Sequence, residues 1–418
     1  MTPTASIISD YCLAALLRCH RSPQGQGWQS TTPKANIEER EELLLRWALS
    51  SSVKRIAEHV IHYPRDVQMA LSYETHTYSG QIPGTVDARE TLFAQELTGD
   101  STLFVVSEPA QSPLTRRNNV LAWVLLQAES LILSAIRRHR LEPQQEWIHS
   151  HAALFEQATQ LRVLREVILS PAGRRRPGSA AIRDAKKSLS VLYRSAADEA
   201  ATFEAIEVMD PQAIRSLLSD TQIAKLENWQ ILELAAALAA AESLAKACGE
   251  RVRWKGSITG SSQIATVGPY SVHWQYALPM RTVDQLDPSE QIIREAAESL
   301  QAGLGRARTD ITIRRNLDAS PIAHIECKWF GSPASASSSI VDAISQLVRY
   351  CRDSRPNSVA QARDMLRDSL VVTSSLSDFT QRLEGNSPVN LTDFAGLASG
   401  CLDAWAFRLH ARSVITPI

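Results

Sequence analysis

Cysteine is scarce in this sequence, and it follows no recognisable pattern. The six cysteines are Cys12, Cys19, Cys248, Cys327, Cys351 and Cys401. They form no CxxC pair, which zinc ribbons and redox motifs need, and disulfide frameworks are typical of short secreted chains. We therefore expect reduced thiols in a cytoplasmic protein, with no zinc ribbon and no iron–sulfur ligand set.

Long apolar runs are also missing. The apolar stretch Val120–Leu126 is followed by Gln127 and Glu129, and it falls well short of the roughly 20 apolar residues that a membrane span needs. It predicts a buried helix. The N-terminal stretch lacks the basic start and the cleavage site of a secretory signal, so no export signal is expected.

An excess of charge of either sign is absent. The 418 residues include 44 Lys and Arg against 45 Asp and Glu, which argues against a uniformly basic surface but allows a local basic groove. No GxxxxGK[ST] motif occurs, so the chain is not itself a P-loop NTPase. With 44% hydrophobic residues, a chain of this length can bury the cores of two or three domains.

What the sequence does contain is a change of pattern along the chain, which predicts three regions. Residues 1–115 form an α+β region in which residues 84–109 alternate in strand fashion. Residues 116–249 are mainly helical, and Gly249 ends the last helix of that region. Residues 250–418 form an α/β domain, with a mixed sheet flanked by helices.

The stretch HIECKWF places an acid and a lysine two residues apart in an apolar run. Because successive strand residues face opposite sides, Glu326 and Lys328 project from one face. A hairpin centred near Asp318 sets Asp310 opposite Glu326, with β-carbons roughly 5 Å apart. Two carboxylates that close repel each other unless a cation lies between them, and oxygen ligands suit Mg²⁺. Lys328 could then lower the pKa of an attacking water or stabilise charge on a phosphate.

The helix predicted after this strand adds polar residues. In QLVRY, Gln346 and Tyr350 are four residues apart and share a helix face, and Asp342 lies on that face one turn earlier. His324 is expected to face away from Glu326 and to have a structural role. The strand pair and the helix together form one candidate site.

The ordered motifs RTDITI, HIECKWF and QLVRY resemble the PD-(D/E)XK nuclease superfamily, which has the restriction-endonuclease-like fold, in its QxxxY branch. The resemblance implies a metal-dependent DNA endonuclease. Asp310 and Glu326 would bind Mg²⁺ (Mn²⁺ is possible), and Lys328 would be the catalytic lysine. Gln346 and Tyr350 would support the site or the substrate backbone.

The resemblance covers residues 290–375, about a fifth of the chain. It also implies a metal-binding acid from the preceding helix, for which Glu298 and Glu295 are the candidates. Thr309 stands where the family often has a proline before the aspartate, and Cys327 fills the variable position of the second motif. Each motif alone is common, so the order and spacing of the three carry the resemblance.

The N-terminal half is similar to relatives of the nuclease subunit of modified-cytosine restriction systems, through GTVDARETL, a later proline and RRNNVLAWVLL. That similarity implies a role in phage defence or restriction. It also implies an NTPase or helicase partner encoded alongside.

Simpler interpretations stay open for each pattern. Glu326 and Lys328 alone would make a strand-surface ion pair of little energetic weight. The alternative function is a non-catalytic DNA-binding or assembly subunit that retains the nuclease fold, and an RNA substrate or a homo-oligomer is also open. The arginines at 174–176 predict a solvated loop or a contact with phosphate.

Overall fold

The structure is a computed structural model. The residues that it describes are 5–20, 33–139, 146–224, 226–255, 262–278, 308–317, 320–330, 336–354, 359–376, 381–383 and 387–415. The chain divides into two compact units. One unit is Leu43–Ala213, and the other combines Met1–Glu42 with Ile214–Ile418.

Helices and strands alternate irregularly along the described residues. The helices are α1 (Ala5–His20), α2 (Pro33–Ala48), α3 (Ser51–His62), α4 (Ala88–Thr98), α5 (Arg116–His139), α6 (Glu146–Thr159), α7 (Arg162–Leu169), α8 (Ser179–Lys186), α9 (Val191–Glu207), α10 (Pro211–Leu218), α11 (Asn228–Cys248), α12 (Ala336–Asp353), α13 (Val359–Asp368), α14 (Phe394–Ala398) and α15 (Leu402–Ile415). The strands are β1 (Ala70–Ser79), β2 (Thr85–Val86), β3 (Leu103–Ser112), β4 (Val252–Trp254), β5 (Gln263–Val267), β6 (Tyr270–Ala277), β7 (Arg308–Arg315), β8 (Pro321–Lys328), β9 (Leu370–Thr373) and β10 (Asn390–Asp393).

The unit Leu43–Ala213 combines a small antiparallel sheet, in the order β1-β3-β2, with a set of packed helices. Its long helix α5 has a mean hydropathy of 1.6 and is half buried; within the described residues it is the one helix long and apolar enough for a membrane span by length and composition. A core helix passes the same test, and α5 packs against α6, α8 and α9. Val120 and Leu121 have no exposed surface, so the apolar side of α5 belongs to the core of this unit.

One prediction in this unit was wrong. Residues 84–109 were expected to alternate as strands, but residues 88–98 form helix α4. The Asp87 side chain accepts hydrogen bonds from the backbone N–H groups of Arg89 and Glu90, and Gly99 ends the helix with a left-handed φ of 73°. These two caps satisfy the helix ends, and they outweigh the local alternation of apolar residues.

The other unit is built on a seven-stranded mixed sheet flanked by helices, in the order β10-β9-β8-β7-β6-β5-β4. Strands β4 to β8 pair antiparallel in sequence, and β9 pairs parallel with both β8 and β10. The predicted mixed sheet flanked by helices is confirmed at this level.

The two units do not follow the predicted boundaries at residues 115 and 249. Helix α11 packs against α1, α15 and the sheet strands β5, β6 and β8, so it belongs with the C-terminal sheet. Its sequence is apolar on all sides, and residues along most of its length are buried. The sequence pattern of such a helix does not show which neighbouring elements it packs against. Gly249 does end it in a left-handed conformation, as predicted.

Helix α12 covers part of the sheet with its apolar side. Ala343 and Leu347 on this helix are fully buried against Val371 of β9 and Leu278, in a cluster that also includes Tyr350. Residues three and four apart share a helix face, so the same packing holds the polar positions of α12 at a fixed angle to the sheet.

Replacing Leu347 tests this packing. Leu347→Ala should lower the free energy of unfolding by about 2–5 kcal/mol, because it removes a fully buried side chain and leaves a cavity. Val348→Ala is the matched control: Val348 is the next residue and 47% exposed, so its loss should cost less than about 0.5 kcal/mol. Urea unfolding measures both, and equal losses would contradict the orientation of α12.

Candidate active site

The hairpin β7–β8 has the register predicted from sequence. Ile311 pairs with Ile325, and Ile313 pairs with Ala323, before a bulge shifts the pairing near the turn. Continuing this register by one residue sets Asp310 opposite Glu326. The backbone N–H of Cys327 donates to Asp310 Oδ2 at 2.7 Å, which fixes the Asp310 carboxyl beside β8.

Lys328 lies between two carboxylates. Its Nζ is 2.9 Å from Glu326 Oε1 and 2.8 Å from Asp342 Oδ2. Burial by itself would lower the pKa of Lys328, but the hydrogen bond to Asp342 and the charge of Glu326 hold that pKa above its ordinary value. The ammonium group therefore stays charged at neutral pH.

A line of side chains on α12 runs along the site. Gln346 Nε2 donates to Asp342 Oδ2 at 2.8 Å, and the Tyr350 hydroxyl donates to Gln346 Oε1 at 3.3 Å. The three residues are spaced four apart, so they form one helix face. Burial, followed by the nearby Glu326 and Asp310 carboxyls, raises the pKa of Tyr350. The predicted residues Asp310, Glu326, Lys328, Gln346 and Tyr350 thus lie together in the structure.

A further acid, Glu233 of α11, reaches the same place. Glu233 is 2% exposed. One of its oxygens, Oε2, accepts hydrogen bonds from Trp274 Nε1 at 2.6 Å and from Gln275 Nε2 at 3.2 Å. Gln275 adopts a left-handed φ of 51°, which is rare for a residue with a side chain. The Glu233 carboxyl is close enough to Asp310 for the two groups to alter each other's pKa.

Sequence reasoning missed Glu233. The resemblance implied a metal-binding acid on the helix just before β7. The candidates there, Glu295 and Glu298, lie outside the described residues. The signal was present, because Glu233 is a single acid early in the run ILELAAALAAA, where an unpaired charge is costly. However, only the tertiary packing of α11 shows that this acid meets Asp310.

Burial disfavours the ionised form of all three carboxyl groups, and the charge of Asp310 disfavours it further for the two glutamates. Burial, followed by the charge of Asp310, raises the pKa of Glu326 to about 8 and that of Glu233 to about 7. Burial also raises the pKa of Asp310. One lysine does not offset this concentration of acid, since Lys328 is shared with Asp342. The group therefore holds protons at neutral pH unless another cation replaces them.

The three acids fit a divalent metal ion by their chemistry, although they do not form a ready-made site. Among the described residues, no group of three or more His, Cys, Asp or Glu is arranged as a ready metal-binding set. The chemistry of the residues nevertheless fits, because all three acids present oxygen, which Mg²⁺ and Mn²⁺ prefer. Moreover, Glu326 Oε2 is buried with no hydrogen-bond donor, and a buried carboxylate oxygen needs a donor or a cation.

His324 does not face away from this site as expected. It is two residues from Glu326, so the strand period puts both on one face. Its ring contacts Tyr350, with centroids 6.0 Å apart, and its nitrogens lie 3.0 Å from Thr312 Oγ1 and 2.8 Å from Ser354 Oγ. Burial lowers the pKa of His324 to about 3. A neutral ring held on both sides by hydroxyls supports the structural role that was predicted.

Comparisons with known proteins add little to this geometry. No family model and no curated protein matches the sequence. Among solved structures, the chain is similar to a chain in the refined half-complex from a tetradecameric assembly of Thermococcus gammatolerans McrB AAA+ hexamers with bound McrC. The two are 9% identical with a TM-score of 0.24, over 98% of this chain and 76% of that chain. A TM-score this low carries no conclusion about fold or function.

The raised pKa of Glu326 makes a prediction about stability. Between the ordinary glutamate pKa of about 4.3 and the folded value of about 8, the unfolded chain releases a proton that the folded chain keeps. Stability of the metal-free protein should therefore fall as pH rises through this window. Glu326→Gln cannot ionise. Its melting temperature should therefore exceed that of wild type near the upper pH of this window and be similar to it near the lower pH.

Thermal unfolding in a chelator across this pH window measures the effect. The exposed Glu96→Gln is the control and should follow wild type throughout. If wild type and Glu326→Gln lose stability equally as pH rises, the raised pKa of Glu326 is wrong.

Proposed function

We propose that the protein is a metal-dependent nuclease that hydrolyses phosphodiester bonds in DNA. The observation that carries the proposal is the buried meeting of Glu233, Asp310 and Glu326 beside Lys328. These acids come from a helix and two adjacent strands, and the polar face of α12 follows. That order of elements matches the one that the restriction-endonuclease-like resemblance implies, with Glu233 in place of an acid on the helix before β7.

Each residue then has a defined part. Asp310, Glu326 and Glu233 would hold the divalent cation through their carboxylate oxygens. When bound, Mg²⁺ would polarise a phosphoryl oxygen and lower the pKa of a water molecule. Of the two roles predicted for Lys328, stabilising negative charge on the attacked phosphate is favoured, because its raised pKa keeps it protonated. An amine that stays charged is a poor general base.

The α12 residues position this lysine. Asp342 binds the Lys328 ammonium directly, and the hydrogen bond from Lys328 lowers the pKa of Asp342. Gln346 links Asp342 to Tyr350. We therefore assign Gln346 and Tyr350 to positioning of the site.

The wider role follows from the sequence resemblance of the N-terminal half alone. A part in phage defence or restriction, with an NTPase or helicase partner, belongs to this proposal on that basis. The alternative, a DNA-binding or assembly subunit without catalysis, makes a different prediction about metal binding, which the second experiment below separates.

Activity is tested with plasmid DNA and Mg²⁺ or Mn²⁺. Asp310→Ala, Glu326→Ala and Lys328→Ala should each lower the cleavage rate by about 100-fold or more, because the first two remove a ligand of the cation and the third removes the positive charge beside the phosphate. Glu96→Ala and Lys54→Ala change exposed or half-exposed residues of the same types and should cleave like wild type. Cleavage that survives the three site substitutions would refute the assignment.

Metal binding gives a readout that does not require cleavage. In calorimetry with Mn²⁺, Glu233→Gln and Asp310→Ala should each weaken binding by about tenfold or more, because each removes an oxygen ligand. Glu242→Gln is the matched control on α11, where Glu242 pairs with Arg18 away from the site. A wild-type protein that binds no divalent cation would favour the non-catalytic alternative and overturn the assignment of Glu233.

A further inference from the structure

Positive charge is concentrated in one segment of the unit Leu43–Ala213. Residues 162–194 contain nine Lys or Arg and two acids, Glu166 and Asp184, in a chain whose net charge is −1. The nine cations are Arg162, Arg165, Arg174, Arg175, Arg176, Arg183, Lys186, Lys187 and Arg194, and all are exposed. Neither the candidate active site nor its chemistry uses this segment.

Part of this charge is neutralised within the unit. Arg176 pairs with Glu204 and Glu207, at 3.3 and 2.6 Å, and Lys186 pairs with Asp198 at 3.0 Å. These ion pairs attach the segment to α9. The other cations of the segment are not neutralised by these ion pairs.

The remaining charge gathers around α8. Asp184 is held by Arg117 through Nε–Oδ2 and Nη2–Oδ1 contacts of 3.0 and 3.2 Å. That hydrogen bonding, and then the charges of Arg116 and Lys187, lowers the pKa of Asp184. Arg183 lies four residues before Lys187, so these two cations share one side of α8. One carboxylate thus faces several cations, and their sum is strongly positive.

The preceding turn is rigidly placed. Gly173 packs so closely on α7 that a β-carbon there would lie 1.9 Å from the Val167 carbonyl oxygen, and Arg174 Nε donates to the Ile168 carbonyl oxygen at 3.2 Å. The turn therefore presents Arg175 to solvent from a fixed backbone. Within the described part of the chain, Arg175, Arg183 and Lys187 make no ion pair.

We propose that the basic surface around α8, formed by Arg183 and Lys187 with Arg116 of α5 and Arg175 of the preceding turn, binds the phosphate backbone of nucleic acid. Arginine favours phosphate because its planar guanidinium donates two parallel hydrogen bonds, and seven of the nine cations of the segment are arginines. Backbone binding of this kind is independent of sequence. The proposal does not rest on the nuclease assignment, since the surface lies in the other compact unit.

An anionic membrane is the other polyanion that a basic surface could meet. Leu189, beside the surface, is 96% exposed, which a membrane could bury. Leu169 and Val191 in the same segment are also exposed, at 58% and 63%. However, Arg194 holds the carbonyl oxygens of Ser188 and Leu189 with hydrogen bonds of 2.9 and 2.7 Å, and three aliphatic side chains give little apolar area beside nine cations. The arginine-rich, weakly apolar surface therefore favours nucleic acid.

The test is fluorescence anisotropy of the full chain with duplex DNA and with duplex RNA, in EDTA so that no cleavage occurs. Arg175→Gln/Arg183→Gln/Lys187→Gln should weaken binding by about tenfold or more. It should also reduce the slope of log affinity against log salt by about 2 to 3, which corresponds to three lost phosphate contacts. The DNA and RNA arms identify which nucleic acid is bound.

The matched control removes the same charge elsewhere on the same unit. Arg55→Gln/Arg65→Gln/Arg89→Gln changes three exposed arginines and should leave affinity and salt slope within about twofold of wild type. Equal losses in the two triple variants, or no loss in the first, would overturn the proposal. So would wild-type binding to phosphatidylserine vesicles with none to either duplex. Circular dichroism melts establish that both variants fold.

Discussion

The unit that contains the seven-stranded sheet depends on one electrostatic constraint, the burial of three carboxyl groups close together. Glu233, Asp310 and Glu326 come from separate elements. Burial raises the pKa of all three carboxyl groups, and the charge of Asp310 further raises the pKa of both glutamates. Bringing them together costs free energy that ordinary core packing would avoid. The fold tolerates that cost only because the surrounding elements hold the acids rigidly, with backbone and side-chain donors on Asp310 and Glu233.

Helix α12 joins this site to the core of its unit. Its apolar face, through Ala343 and Leu347, packs against β9 and its surroundings. The adjoining face carries Asp342 and Gln346 to Lys328. Because both faces belong to one rigid helix, a change in core packing displaces the lysine's partner. Tyr350 belongs to both sets, since it lies in the apolar cluster while its hydroxyl donates to Gln346.

Local periodicity predicted the parts of this site that are close in sequence. The period of two along β7 and β8, with a turn between them, is enough to align Asp310 with Glu326. The helical period is enough to put Gln346 and Tyr350 on one face. Glu233 could not be found this way, because α11 is separated from β7 by three strands and its contact with Asp310 exists only after the sheet forms. Sequence carries no local record of such a long-range contact.

The errors have the same origin. Helix α4 was predicted as strand because short apolar alternation outweighed two cap residues, Asp87 and Gly99, that define its ends. The predicted boundary at residue 249 followed a change of composition. In the structure, α11 precedes that change but packs on the strands that follow it. In both cases the deciding interaction was a hydrogen bond or a contact between elements, which composition does not report.

The acidic site cannot by itself attract the negatively charged substrate of the proposed function. The nucleic-acid substrate of the proposed function would be repelled by a cluster of carboxylates, even where the cluster is partly protonated. A bound divalent cation would remove that repulsion locally, yet it would add little attraction at distances beyond the screening length of about 10 Å. Attraction from farther away requires a surplus of positive charge elsewhere on the chain. With a net charge of −1 overall, that surplus must be concentrated, and the segment 162–194 is where the sequence concentrates it.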